Sequence, residues 1–158
     1  MTGLISRVLG PISLDGGPGG GTMDTSTRIL NRTVDVRLEI DFPLRFDETV
    51  VQDIDQMLEN LNLIDTMARN TIRGALTHSS STPATVFRQW LRQSTSSAPS
   101  PQDFMDELVL SGIRLYPDGG RTNRVRIELE YQSPIQISPR ITVQFLERTG
   151  PELLPARR

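Results

Sequence analysis

The chain has 158 residues, with 17 basic against 19 acidic, one His and no Cys. Without Cys there is no disulfide framework, thiolate metal site or cysteine nucleophile, and a single His strips the usual zinc and His-paired catalytic sites of most of their ligands. Every basic residue is Arg, so the Schiff-base and phosphate-loop roles of Lys are absent too. The net charge of −2 lacks the basic balance of a nucleic-acid binder. No apolar run is long enough to span a membrane, and MTGLISRVLGPISLD has no charged region followed by an apolar stretch, so it is a poor secretory signal. The expectation is a cytoplasmic protein.

In chain order, a short apolar segment around Val8 to Leu14 precedes GGPGGGTMDTST at 16–27, whose Gly and small polar residues predict a flexible loop. From Thr33 to Asp41 the residues alternate, with Val34, Val36, Leu38 and Ile40 on one face and Asp35, Arg37, Glu39 and Asp41 on the other, which predicts a half-buried strand. After Phe46 the period becomes helical. Val50, Val51, Ile54, Met57, Leu58, Leu61, Ile64, Met67, Ala68 and Ile72 recur every three or four residues behind Asp47 as N-cap, and Asn60 with Asn62 offers a place to bend or split the helix. Thr82 as N-cap before Pro83 opens a second helix with Val86, Phe87, Trp90 and Leu91 inward, and Ser100-Pro101 with Asp103 opens a short third.

Gly112 lets the chain return to extended structure. Ile113 and Leu115 lead to a reverse turn at YPDGG, Arg124 to Tyr131 alternates again, and Ile141, Val143 and Phe145 mark a further strand. Strands, then helices, then strands again predict an α+β fold, a mostly antiparallel sheet of four to six strands with about three helices packed on one face. The expected organisation is a single domain over 1–150, with 151–158 as a disordered tail.

Several strings resemble an uncharacterised bacterial family, the domain of unknown function numbered two-thousand-and-four, over nearly the whole chain: LGPISLD at 9–15, RTVDVRLEID at 32–41, LNLIDTMARNTIRGAL at 61–76, and the stretch from DFMDELVLSGIRLYPDG at 103–119 through the strand ITVQF at 141–145. Where members of that family carry His in one helix, this chain has Arg88, Gln89 and Arg92, so no role of those His carries over. The resemblance implies a small soluble bacterial protein without an established activity, and some such domains are similar to immunity proteins encoded near toxins.

Candidate chemistry is sparse. GGPGGGT lacks the Lys and the following helix of a phosphate-binding loop, and His78 beside Ser79, Ser80 and Ser81 reads as an exposed loop residue. Asp53, Asp55, Glu59 and Asp65 fall on helical positions, where a solvated acidic face is expected. Converging on a metal or a substrate, they would instead serve a small metal- or carboxylate-dependent hydrolase, the alternative to a binding protein, with a housekeeping role of unknown substrate beside it. Trp90 and Phe87 are expected in the core. No catalytic constellation, metal site or cofactor is predicted. The residues expected to meet a partner are the outward charges of two strands, Arg37 and Glu39 on one and Arg124, Arg126, Glu128 and Glu130 on the other, because mixed charge on a wet sheet sets specificity and encounter rate. The expected partner is another protein, a toxin being the suggested class, and neither nucleic acid nor membrane.

Overall fold

The computed structural model describes residues 3–16, 20–94, 98–118, 125–135, 138–146 and 150–156. The alternation of the first clear strand is realised in β4 (Arg32–Ile40): Val34, Val36, Leu38 and Ile40 are buried while Arg37 and Glu39 face away from them. Its antiparallel partner is β3 (Gly21–Ile29), running from Gly21 opposite Ile40 to Ile29 opposite Arg32. Leu30 and Asn31 join them with φ of 53° and 63°. A two-residue hairpin turn needs this positive pair, whose twist matches that of the strands.

The flexible loop expected over 16–27 is therefore corrected: residues 21–27 are strand, and residues 17–19 lie outside the described residues. The inward positions of β3 are Gly21, Met23, Thr25, Thr27 and Ile29, and three of the five are too small or polar to announce burial. The N-terminal segment completes the core beneath them. Its β1 (Ile5–Ser6) and β2 (Gly10–Pro11) form a small antiparallel hairpin, Thr27 Oγ1 donates to the Val8 carbonyl at 3.3 Å, and a side chain at Gly21 would run into Leu14.

Four helices follow among the described residues. Asp47 caps α1 (Glu48–Glu59) by accepting from Val50 N at 3.2 Å, and Asn60 does divide the apolar repeat, α2 being Leu61–Ala75. Ser81, one residue earlier than expected, caps α3 (Thr82–Gln93) through Ala84 N at 3.1 Å. The predicted start of α4 (Pro101–Glu107) is a reciprocal capping box between Ser100 and Asp103. Phe87, Trp90 and Phe104 pack with ring centroids 5.3 to 6.0 Å apart, and Trp90 Nε1 donates to Glu107 Oε2 at 2.5 Å, so Trp90 is indeed a core residue with its one polar atom satisfied.

Beyond the helices run β5 (Val109–Tyr116), β6 (Arg126–Gln132), β7 (Ile141–Leu146) and β8 (Pro151–Leu154). The sheet order is β3-β4-β5-β6-β7-β8, antiparallel throughout except for β4 beside β5. The fold is α+β, a six-stranded, mostly antiparallel sheet with the helices packed on one face. The disordered tail is corrected as well: Pro151–Leu154 is an edge strand, Leu153 opposite Val143. The core lies between Ile113, Leu115, Ile127, Leu129, Ile141 and Val143 of the sheet and Ile54, Leu58, Leu61, Ile72 and Phe104 of the helices. Each such side chain contributes roughly 1.5–3 kcal/mol over its exposed state. Among the described residues no helix is long and apolar enough to cross a membrane.

Candidate functional site: the polar face of the sheet

Because side chains alternate along a strand, the residues between the core positions all emerge on the sheet face away from the helices. Register then sets the neighbours. Asp24 stands opposite Arg37, Arg37 beside Arg114, Arg114 opposite Glu128, and Glu128 opposite Gln144. One step along, Asp35 is beside Gly112, Gly112 opposite Glu130, and Glu130 opposite Thr142. Gly112 carries no side chain into this row, and a depression of about 660 Å³ opens there, lined by Asp24, Asp35, Arg37, Arg114, Glu130 and Arg140 among others.

The charges on this face are layered. Glu128 and Glu130 lie at the floor, their side chains 2% and 7% exposed, whereas the side chain of Arg140 is 58% and that of Asp24 70% exposed. Glu130 accepts from Arg140 Nη1 at 3.1 Å through Oε2 and lies 3.3 Å from Arg114 Nε through Oε1. Arg126 Nε is 3.7 Å from Glu128 Oε2, and the Arg126 guanidinium sits 3.8 Å above the Tyr116 ring, a distance at which the ring's negative face attracts the cation. Burial, reinforced by the charges of Glu128 and Glu39, pushes the Tyr116 phenol above its usual range. On β4, Arg37 forms a two-bond grip on Asp24 at 3.0 and 3.1 Å and donates through Nε to Glu39 at 3.2 Å. That hydrogen bond to Glu39, first among the causes, raises the Arg37 pKa.

Two of the expected partner-binding residues are thus corrected in their setting. Glu128 and Glu130 do lie on the outward face of β6, but they are buried, because long Arg side chains from β5, β6 and the segment before β7 fold over them. Arg37, Glu39 and Arg126 are partly exposed, and Arg124 lies outside the described residues. Asp24, Arg114 and Arg140 complete the face and were not singled out by sequence. Asp24 was hidden in the expected loop, while Arg114 alternates with Ile113 and Leu115 and could have been found by the reasoning applied to β6.

The helical carboxylates do not converge. Asp55, expected on a solvated acidic face, is 3% exposed. It accepts from Ser6 Oγ and from Arg7 N at 3.0 Å, so it is committed to holding the N-terminal hairpin on α1. Asp65 is likewise committed, to Tyr131 and Arg69. Glu59 shares the exposed Arg7 guanidinium with Asp55, at 2.9 Å against 3.8 Å, while Asp53 stands outside these contacts. Among the described residues no group of three or more His, Asp or Glu side chains is placed to hold a metal ion. His78 is exposed, as expected.

No family model, curated protein or solved structure matches the chain.

Proposed function

We propose that the chain is a non-enzymatic binding domain that engages another protein through the polar face of its sheet, the partner class being a toxin neutralised by direct contact. The observation that carries this reading is the layering of charge around Gly112. Carboxylates fixed at the floor hold Arg114, Arg126 and Arg140 in place, so these cations are already oriented before a partner arrives. Ordering a free Arg at an interface costs on the order of 1 kcal/mol, and side chains held in advance avoid much of that cost. On the β3–β4 side of the same depression Asp24 is paired with Arg37, and the exposed Asp35 adds a negative charge. Such a mixed pattern of charge selects a partner with the complementary pattern and speeds its encounter.

The reading is tested by affinity capture from the native host with the intact chain and with an Asp35→Arg, Arg37→Glu variant, which changes charge at accessible positions. A specific protein retained by the first and lost by the second, with binding that weakens as salt rises, is the expected result. Equal capture by both, or no copurifying protein, would remove this face from consideration.

A further inference from the structure

The sheet has two edges, and they are built differently. β8 is four residues long and opens with Pro151; shortness and Pro at an edge both discourage pairing with another chain. β3 is nine residues long and pairs with β4 without a register break. Thr22 shows which backbone groups of β3 face outward, since its N–H donates to Asp15 O at 2.8 Å and its carbonyl accepts from Asp15 N at 2.7 Å. By the two-residue period, the N–H and C=O groups of Asp24, Ser26 and Arg28 point to the same outer edge, whereas those of Met23, Thr25, Thr27 and Ile29 turn toward β4. The side chains of Asp24, Ser26 and Arg28 are all exposed.

We propose that this edge pairs with β3 of a second copy of the chain, antiparallel and about a twofold axis at Ser26. An isologous contact must be self-complementary, and this strand is so in one register. Asp24 meets Arg28 of the partner subunit and Arg28 meets Asp24 of the partner subunit, with Ser26 on the axis facing its own symmetry mate. On the inner face the same register sets Thr25 against Thr27 of the partner subunit and the apolar Met23 against Ile29 of the partner subunit. The outward groups of Asp24, Ser26 and Arg28 then form hydrogen-bonded pairs across the axis. Asp24 keeps lone pairs for a second cation beside Arg37, since a carboxylate has about four acceptor sites. The contact ends where Asp15 occupies Thr22 on one copy and the Leu30–Asn31 turn leaves the strand on the other. The two six-stranded sheets become one continuous sheet.

A contact of this kind buries a small area, so a weak, concentration-dependent dimer is expected, with a dissociation constant on the order of micromolar or weaker. Sedimentation equilibrium on the full chain over a wide concentration range reads it directly. Arg28→Asp sets like charges opposite at both ends of the contact and should weaken dimerisation roughly tenfold or more. Exchanging both residues, as Asp24→Arg with Arg28→Asp in an Arg37→Gln background that takes away the like charge opposite position 24, should restore it. Ser26→Pro removes an outward N–H at the axis without touching the β3–β4 ladder, and should give a monomer with unchanged circular dichroism. A wild-type chain that stays monomeric at millimolar concentration overturns the proposal, as does a dimer that Arg28→Asp and Ser26→Pro leave intact.

Discussion

Tyr131 of β6 donates its phenolic hydrogen to Asp65 Oδ1 of α2 at 2.5 Å. Arg69, one turn along α2, lies on the same carboxylate through Nε at 3.1 and 3.2 Å, passes 5.2 Å from the Tyr131 ring centre, and donates through Nη1 to the carbonyls of Met105 and Leu108 at 3.3 and 3.2 Å. Three side chains thus fasten the sheet, the second helix and the junction between α4 and β5 to one point inside the protein.

Replacing Tyr131 by Phe keeps the ring and removes the hydrogen bond. The loss should be roughly 1.5–3 kcal/mol, because the acceptor is charged and little water can replace the donor. Denaturant unfolding measures it, and a double-mutant cycle with Asp65→Asn should show coupling between the two positions. Additive losses would mean that the hydroxyl contributes nothing through Asp65.

Alkaline pH should attack the same point. Burial first, and then the hydrogen bond to Asp65, hold the Tyr131 pKa far above its usual value, and Tyr116 is raised as well. A group whose folded pKa is raised gives stability that is complete below the unfolded value and lost as pH climbs toward the folded one, so these phenols favour folding up to about pH 10 and progressively less above it. These are the chain's two tyrosines. Ultraviolet titration should therefore show Tyr131 remaining protonated while the protein stays folded, its ionisation coinciding with unfolding, and Tyr116 ionising above the usual tyrosine range. A tyrosine titrating near pH 10 with the fold intact would contradict this.

Asp55→Ala should release the N-terminal hairpin. The carboxylate satisfies Ser6 Oγ and the Arg7 backbone, and its removal leaves the buried Ser6 hydroxyl and the part-buried Arg7 N–H without this acceptor at a cost of about 1–3 kcal/mol. Hydrogen exchange should accelerate at Arg7 and Val8 while the amides of β6 stay protected. Uniform acceleration across the sheet would show instead that the hairpin and the core unfold as one unit.

How much of this was legible in the sequence depended on whether the signal was local. The alternation of β4, the Asp47 cap and the Ser100–Asp103 box are all decided within a few residues, and each appears where the sequence put it. β3 escaped notice because Gly21, Thr25 and Thr27 make a poor inward face alone, and what buries them is supplied from residues 8–14. β8 escaped because four residues beginning with Pro carry no periodicity. For Glu128 and Glu130 the alternation gave the correct face and the wrong depth: period two says which way a side chain points, but the Arg residues that cover it come from other segments. Asp55 failed for the same reason, its donors lying far away at Ser6 and Arg7.

The layering of the polar face predicts unequal effects for its charges. Glu130→Gln removes the one anion that both Arg114 and Arg140 contact and should cost roughly 1–2 kcal/mol, since two charge-assisted contacts are lost while the guanidinia left behind are partly solvated. Arg140→Gln removes a guanidinium that is more than half exposed, and should cost under about 1 kcal/mol. Thermal or denaturant unfolding of the two variants checks the order; equal losses would mean that solvent reaches the floor of the depression.

The one parallel contact among the described strands, Asp35 to Leu38 beside Gly112 to Leu115, divides the sheet into two pieces that can each form by neighbouring-strand pairing: the β3–β4 hairpin and the β5–β8 meander. They meet only after everything between them has been gathered up, which makes the seam the contact of highest loop-closure cost in the sheet. Chains interrupted during folding should therefore expose a bare β4 edge rich in Val, Leu and Ile, the kind of surface that aggregates. For a cell making this protein, the vulnerable interval is the time before β5 emerges and closes that edge.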